Sequence, residues 1–173
     1  SYPYDEGELS GVIEACVDSL ADLLTRAEDA GARQAILAAL VEIFRANVEK
    51  APDYVIGGEA AMSTVIEQAT ADERRVVADW LRAARGTGSG EIDSEDEDDA
   101  GYLAEAYDDV LFDLEKDTLD DETFLAQARG RGRVADLVDR LLNLGRADEA
   151  VAATRDEVNF QLPAVLNRFV SHG

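Results

Sequence analysis

The first residues that could do chemistry are a single cysteine and a single histidine. Nucleophilic catalysis by such a pair needs the two side chains within hydrogen-bond reach, with a third group that orients the base. Cys16 falls on the apolar face of the first predicted helix, and His172 is the penultimate residue of the chain. We therefore predict that Cys16 belongs to the core, that His172 lies on the surface and that the chain has no catalytic residue.

The sequence lacks key residues of the common metal and phosphate sites. One cysteine and one histidine cannot supply the soft ligands of a tetrahedral zinc site. Asp96, Asp98 and Gly101 match positions 1, 3 and 6 of a calcium-binding loop. Tyr107, however, occupies position 12, where a bidentate glutamate must close the coordination shell. The glycine-rich residues 86–90 lack the Gly-Lys-Ser/Thr ending of a phosphate loop. The sequence therefore predicts no metal and no cofactor.

Carboxylates are abundant, and two of them at the right separation could hydrolyse a glycosidic bond. The densest group is Asp117, Asp120, Asp121 and Glu122. The last three open a predicted helix, where the helix dipole favours negative charge. We interpret them as helix-starting residues.

The most prominent cationic stretch consists of five arginines: Arg129, Arg131, Arg133, Arg140 and Arg146. It lacks the interleaved aromatic residues that stack on bases in nucleic-acid interfaces. The chain has 38 acidic and 16 basic residues, a formal net charge of -22. This charge works against binding to DNA phosphates and to anionic membranes. We predict that these arginines face a protein partner or an adjacent domain of the same chain, and that the chain binds neither nucleic acid nor membranes.

The elements that position these residues are predicted to be helices. The chain has 173 residues, of which 46% are hydrophobic and only 6% aromatic, a composition that favours helices over a sheet. Apolar residues recur at intervals of three and four, with Gly31 as a stop and Thr70 and Glu73 as a capping box. The predicted helices are 9–30, 32–50, 59–69, a fourth that follows Thr70 and ends near Arg85, 102–116, 121–128, 134–144, 147–156 and 162–170.

The segment 86–99 is predicted to be a linker or a mobile loop. It joins a glycine-rich run to seven acids among nine residues, and neither part can bury apolar surface. We therefore divide the chain into N-terminal helical hairpins (1–85), the linker (86–99) and a C-terminal helical-repeat region (100–173), which could also continue one solenoid with 1–85. Acids after the linker, such as Asp108, Asp109 and Asp113, are expected to contact the arginine stretch.

A short repeat is visible in the second half of the chain. Gly132-Arg133 and Gly145-Arg146 each precede a predicted helix and lie thirteen positions apart, and Val138 and Val151 keep the same offset. Such spacing is typical of stacked helical hairpins. The sequence predicts an all-α fold, with antiparallel helical hairpins stacked as a short tetratricopeptide-like α-solenoid. Trp80 is expected to belong to its core.

Five groups of residues also carry a family resemblance: 65–70 with 73–75, 117–122 with 124–125, 136–142, 144–146 with 148–150, and 169–173. They resemble the region downstream of the zinc finger in bacterial SWIM zinc finger proteins, and the likeness runs from about Leu37 to the end. The resemblance implies a helical, repeat-like region attached to a Cys-x-Cys…Cys-x-His zinc site that binds DNA or proteins. This chain has no Cys-x-Cys, so no zinc ligand is carried over to any position.

Together these observations predict a non-catalytic protein-interaction scaffold that is a fragment of a larger protein. The chain starts without methionine and ends at His172-Gly173, which is expected of an excised piece. The alternative function is an accessory module of a nucleic-acid-associated SWIM zinc finger protein. No apolar run approaches the roughly 20 residues of a membrane helix and no signal peptide is visible, so a cytoplasmic location is expected.

Overall fold

The described part of the chain consists of helices joined by short connections. A computed structural model describes residues 6–50, 57–88 and 97–155, and no residue in these ranges lies in a β-strand. The all-α fold predicted from the spacing of apolar residues is confirmed. The helices within these ranges are α1 (Glu6–Arg26), α2 (Ala30–Lys50), α3 (Gly58–Gln68), α4 (Ala71–Gly88), α5 (Glu97–Glu115), α6 (Asp121–Gly130), α7 (Val134–Asn143) and α8 (Ala147–Arg155).

Two helix starts lie where the sequence predicts them, and each is capped by a side chain. At α4, the backbone N–H of Thr70 donates to Glu73 Oε2 at 2.8 Å, and the N–H of Glu73 donates to Thr70 Oγ1 at 3.3 Å. This reciprocal pair is the capping box. At α6, Asp120 accepts from the backbone N–H and the hydroxyl of Thr123, which lowers the pKa of its carboxyl. The acidic cluster before residue 123 therefore starts a helix, as expected.

The junction between α1 and α2 differs from the prediction. We expected Gly31 to end the first helix, but α1 ends at Arg26 and Gly31 lies in the first turn of α2. The reason is a competing cap, because Asp29 Oδ2 accepts from the backbone N–H of Ala32 at 2.8 Å. An aspartate in this position satisfies a free donor and starts the helix before the glycine.

The predicted linker 86–99 is shorter in the structure. Helix α4 continues to Gly88 and α5 already begins at Glu97, while residues 89–96 lie outside the described part. Acidic residues in the first turn of α5 suit the positive end of a helix dipole. By its contacts the chain divides into two compact units, unit 1 (Ser1–Glu115) and unit 2 (Lys116–Gly173), so α5 belongs with the helices that precede the linker.

Unit 1 is organised around α2, which packs against α1, α3, α4 and α5. Its buried residues follow the spacing of one broad helical face. They are Leu37, Leu40, Val41, Phe44 and Val48. Residues of the other four helices complete this core, among them Val17, Leu24, Met62, Val65, Val77, Leu81, Tyr107 and Leu114. Trp80 is partly buried against the same core, in agreement with its predicted role.

A polar contact joins α2 to α5 at the edge of this core. The hydroxyl of the buried Tyr107 donates to Glu49 Oε1 at 2.6 Å, and Arg45 Nε donates to the same oxygen at 3.1 Å. The Tyr107 ring meets Phe44 edge to face, with centroids 5.5 Å apart. Burial and the neighbouring Glu49 raise the pKa of Tyr107 to about 12, so the phenol stays protonated and keeps its donor.

A second polar node joins the ends of four helices through Arg33 of α2. Its guanidinium donates to both carboxylate oxygens of Glu73 in α4, at 2.6 and 2.9 Å. It also donates to the carbonyl of Leu24 at 2.7 Å, and at longer range to those of Ala27 and Gln68. These carbonyls lie at or beside the C-terminal ends of α1 and α3, where backbone acceptors lack partners within the helix. One side chain therefore satisfies acceptors from three other elements.

Candidate interaction surfaces

Unit 2 contains the predicted repeat as a structural repeat of three helices. Helices α6, α7 and α8 begin at residues 121, 134 and 147, at intervals of thirteen. Buried residues recur at the same interval, since Leu125 corresponds to Val138 and Ala128 to Leu141. Helix α7 packs against both α6 and α8. The thirteen-residue interval noted in the sequence is therefore also the interval at which the helices of unit 2 repeat.

The helices of this repeat are joined by two turns, 131–133 and 144–146, which we call its corners. Both corners have the same backbone geometry. Gly132 and Gly145 adopt φ values of 66° and 71°, in the left-handed region that favours glycine. At each corner the next residue donates its N–H to the carbonyl five residues earlier, at 2.9 Å for Arg133 and 2.8 Å for Arg146. This arrangement closes the end of one helix and directs the chain into the next.

The corner arginines also repeat their side-chain contacts. Arg133 Nε lies 3.0 Å from Asp136 Oδ2, and Arg146 Nε lies 2.7 Å from Glu149 Oε1. Both acids stand three residues after the arginine, in the first turn of α7 and of α8. Hydrogen bonding to Arg146 lowers the pKa of the Glu149 carboxyl. Each arginine therefore pairs with the helix that it precedes.

Arg140 is held inside unit 2 by three partners. Its guanidinium lies 2.7 Å from Asp121, donates to the carbonyl of Lys116 at 3.4 Å and covers the Phe124 ring at 4.1 Å from the centroid. Together with the corner arginines, three of the five arginines predicted to face a partner make ion pairs within the unit. Two of the acidic partners, Asp121 of Arg140 and Glu122 of Arg146, were not found from the sequence because they are 19 and 24 residues away along the chain.

The other two arginines lie exposed at the end of α6. Arg131 makes contacts of 3.4 Å to the carbonyl and the side-chain oxygen of Gln127, one turn earlier. Arg129 contributes, after Arg146, to the lowered pKa of Glu149. Both side chains are exposed to solvent. Of the predicted set, these two form the accessible cationic surface.

One of the acids that we expected to reach this stretch, Asp108, pairs with another arginine. Asp108 of α5 pairs with Arg85 of α4, with Arg85 Nη2 3.1 Å from Asp108 Oδ2. Arg82 and Glu115 make a second pair between the same helices. These contacts fix α4 against α5 within unit 1.

The last described helix of unit 2 leaves an apolar side chain uncovered. Val138 and Val151 occupy the same repeat position, but Val138 is fully buried in α7 and Val151 is 40% exposed in α8. Leu144, at the second corner, is also exposed. The predicted helix 162–170, the next along the chain, lies outside the described residues.

The prediction that Cys16 belongs to the core is wrong. Cys16 is exposed, in the same stripe as Val12 and Leu23, which are 61% and 54% exposed. Helix α1 carries two adjacent apolar stripes, and the buried one contains Val17 and Leu24. Periodicity identifies both stripes, but only the tertiary fold decides which one is covered.

The positions of the calcium template that the structure describes are helical. Asp98, Gly101 and Tyr107 all lie within α5, and Tyr107 is buried against Glu49. A continuous helix cannot wrap its side chains around one ion as a calcium loop does. Over residues 6–50, 57–88 and 97–155 no group of three or more metal-ligating side chains comes together. Asp96 and His172 lie outside these ranges.

None of the described helices combines the length and the apolar character needed to cross a bilayer. Searches of protein-family models, curated proteins and solved structures find no significant match to this chain.

Proposed function

We propose that this chain is a non-catalytic, cytoplasmic protein-interaction scaffold and part of a larger protein. The observation that carries the proposal is the thirteen-residue repeat of unit 2. Its two corners share a left-handed glycine, the same backbone hydrogen bond and the same arginine–carboxylate pair. Stacked helical repeats of this kind, including tetratricopeptide-like ones, offer extended surfaces that bind other proteins.

Arg129 and Arg131 are the proposed contact point of this scaffold. Their guanidinium groups can make charge-assisted, bidentate hydrogen bonds to carboxylates of a partner protein or of an adjacent domain. The remaining acids of the chain repel such a partner only weakly at physiological salt, because charges beyond about 8 Å are largely screened. Arg133, Arg140 and Arg146 then act indirectly, since their ion pairs fix the helices that present the contact point.

Photo-crosslinking in cells tests this contact. A crosslinking residue at Ala126, an exposed position of α6 three residues before Arg129, should capture a discrete protein. The captured protein, once purified, should bind the wild-type chain, and Arg129→Ala with Arg131→Ala should reduce both crosslinking and affinity at least fivefold. The reason is that two charge-assisted hydrogen bonds are lost while the ion pairs of unit 2 remain.

The matched control uses Ala71 of α4, an exposed position four residues before Arg75. Arg75 is exposed and paired with Asp72 at 2.8 Å, which resembles the local contacts of the α6 arginines. A crosslinker at Ala71, with or without Arg75→Ala, should not capture the same protein. Equal capture from both positions would show that the proposed contact point is wrong. The same conclusion would follow if replacing Arg129 and Arg131 left the affinity for the captured protein unchanged.

The alternative proposal is an accessory module of a nucleic-acid-associated SWIM zinc finger protein. It is supported by the sequence resemblance, whose segments 136–142 and 144–146 with 148–150 fall on α7, its following corner and the start of α8. In this version the nucleic acid is bound by other parts of the protein, and the chain again contacts protein.

Both versions predict that the chain alone does not bind duplex DNA. With 38 acids against 16 basic residues, few phosphate contacts are available, and acids within about 8 Å of a phosphate would repel it. We expect no change in the fluorescence anisotropy of a labelled 20-base-pair duplex at protein concentrations up to about 50 μM and physiological salt, since non-specific binding by basic proteins has Kd values of about 1–100 μM.

A low-salt titration completes the DNA experiment. If binding with a Kd tighter than about 10 μM appears and weakens as salt rises, direct contact with phosphates is present. That result would place the nucleic-acid function above the protein scaffold.

A further inference from the structure

The repeat of unit 2 has an open apolar position on α8. Helix α6 packs against α7, and α7 packs against α8. The equivalent residues Leu125 of α6 and Val138 of α7 are 2% and 0% exposed, whereas Val151 of α8 is 40% exposed. Each of the first two helices has the next helix of the repeat packed against it. Among the described residues, α8 has no such following helix.

The chain contains a matching apolar pattern directly after α8. The predicted helix 162–170 lies outside the described residues, and its sequence places apolar side chains on one helical face. Pro163 suits its first turn, where proline is favoured. Four of its apolar residues have the same spacing as the four buried residues of α7. The α7 residues are Val134, Leu137, Val138 and Leu141, and those of the segment are Leu162, Val165, Leu166 and Phe169.

This part of the chain is also unusually poor in charge. Residues 158–173 contain no aspartate or glutamate, although the chain has 38 acids among 173 residues. Arg168 is the single charged residue of 162–170, and it falls 200° from Leu166 at about 100° per residue. The apolar face of the predicted helix therefore carries no charge. A short amphipathic helix owes most of its stability to the burial of such a face against another element.

The connection between α8 and this segment favours α8 as the surface that the segment covers. Helix α8 ends at Arg155, so residues 156–161 form the connection, and its length is typical of adjacent antiparallel helices. A tether this short gives an effective concentration in the millimolar range, which a second copy or a separate partner would have to match. The segment begins 15 residues after α8 does, two more than the repeat interval, and position 158 is a valine and not a corner glycine. It therefore extends the repeat without copying its corners.

We propose that residues 162–170 form a helix that docks antiparallel on α8 and covers Val151. With the ends of the two helices aligned, Leu166 lies opposite Val151, because each is the middle residue of its helix. The open face of α8 is then occupied by a segment of the same chain and is not available to a partner protein. This inference goes beyond the proposed function, since it holds whether or not Arg129 and Arg131 bind a partner.

Disulfide formation between introduced cysteines tests the docking in the full chain. A Cys16→Ser background carries Val151→Cys together with Leu162→Cys, Leu166→Cys or Phe169→Cys. In a glutathione redox buffer, at least one of these pairs should form a disulfide within one chain at least tenfold faster than Val151→Cys with Ala164→Cys. The reason is that a disulfide requires Cα atoms within about 7 Å. Ala164 has nearly the same tether length but falls on the opposite side of the predicted helix from Leu166.

Hydrogen exchange of α8 provides an independent measurement. Leu166→Ser with Phe169→Ser should accelerate amide exchange of residues 151–154 at least tenfold, because the cover is lost, and should leave α2 unchanged. Val151→Ser should have a similar effect on α8, although valine and serine have similar helix propensities. Val76→Ser is the matched control, because Val76 of α4 is 41% exposed. It should change the exchange of α4 by less than twofold.

Three results would overturn the proposal. The first is an equal rate of disulfide formation for Ala164→Cys and the three face positions, which is the result expected of a segment that does not dock. The second is disulfides between chains in place of those within a chain, which would make a second copy the occupant. The third is unchanged exchange of α8 in both serine variants. If the double serine variant also alters α2, the disulfide rates decide the question, since each of those variants changes only one residue of the segment.

Discussion

Replacing Arg33 by alanine should lower the free energy of unfolding by about 2–3 kcal/mol, one of the two largest effects that we expect. The variant leaves the Glu73 carboxylate without its bidentate partner and removes the donor to the Leu24 and Gln68 carbonyls. The Arg33 and Glu73 side chains are only 18% and 22% exposed, so water restores part of the lost interactions. For this reason the loss falls below the 3–5 kcal/mol typical of a fully buried pair. Urea unfolding followed by circular dichroism measures it.

The same node gives a defined pH dependence. Hydrogen bonding from Arg33, and after it from Thr70, lowers the pKa of the Glu73 carboxyl from 4.5 to about 2. Because the folded pKa is below the unfolded one, this stabilisation is complete above pH 4.5 and is lost as pH falls through 2. After allowance for partial exposure, we expect the free energy of unfolding of wild type to fall by about 2 kcal/mol more than that of Glu73→Gln between pH 6 and pH 2. The difference between the two proteins isolates Glu73 from the many other carboxylates.

Arg75→Ala is the matched control for Arg33→Ala. Arg75 belongs to α4 and pairs with Asp72 at 2.8 Å, but both side chains are largely exposed, and such pairs contribute about 0–1 kcal/mol. Arg33→Lys should fall between alanine and wild type, because an ammonium keeps the charge but cannot donate as a planar fork. Equal losses for Arg33→Ala and Arg75→Ala would show that the node does not hold the helix ends together.

The Arg33 node also shows what the sequence can predict here. Thr70 and Glu73 were identified as a capping box because their contact spans only three residues, within the reach of local chemistry. The partner Arg33 lies forty residues earlier and carries no local signal. The start of α2 is an exception, because the Asp29 cap spans only three residues and was still missed, since Gly31 offered a competing local stop signal.

The same distinction between local and distant contacts decides which parts of the candidate surfaces could be predicted from the sequence. The thirteen-residue repeat was predicted because its corner geometry depends on a glycine and an arginine that are adjacent in sequence. Sequence reasoning could not separate the exposed Arg129 and Arg131 from Arg140, whose carboxylate partner is nineteen residues away. On α1 the two apolar stripes are visible in the sequence, and only packing against α2 and α3 decides that Cys16 stays outside.

Replacing Gly57 by alanine should cost about 2–4 kcal/mol, because two separate penalties combine. Gly57 has φ of +79° as the residue before α3, and a left-handed conformation costs an L-residue about 1–2 kcal/mol. A Cβ at this position would also fall well inside van der Waals contact of Ile13 Cγ2 on α1. Isoleucine is branched at Cβ and stiff at χ1, so its methyl group cannot swing aside as the end of a long side chain would. Thermal and urea unfolding should both show the loss.

Gly132→Ala separates the two penalties. Gly132 has a similar φ of +66°, but a Cβ there would meet nothing within 4 Å, so this variant should lose only the conformational part, about 1–2 kcal/mol. Ile13→Ala provides a second separation, because it removes the methyl group that the new Cβ would strike. The cost of Gly57→Ala should therefore be about 1–2 kcal/mol smaller in the Ile13→Ala background than in wild type. Additive losses would mean that α1 and α3 can move apart at this contact. In that case Gly57 would be needed for its backbone conformation and not for the close approach of α1.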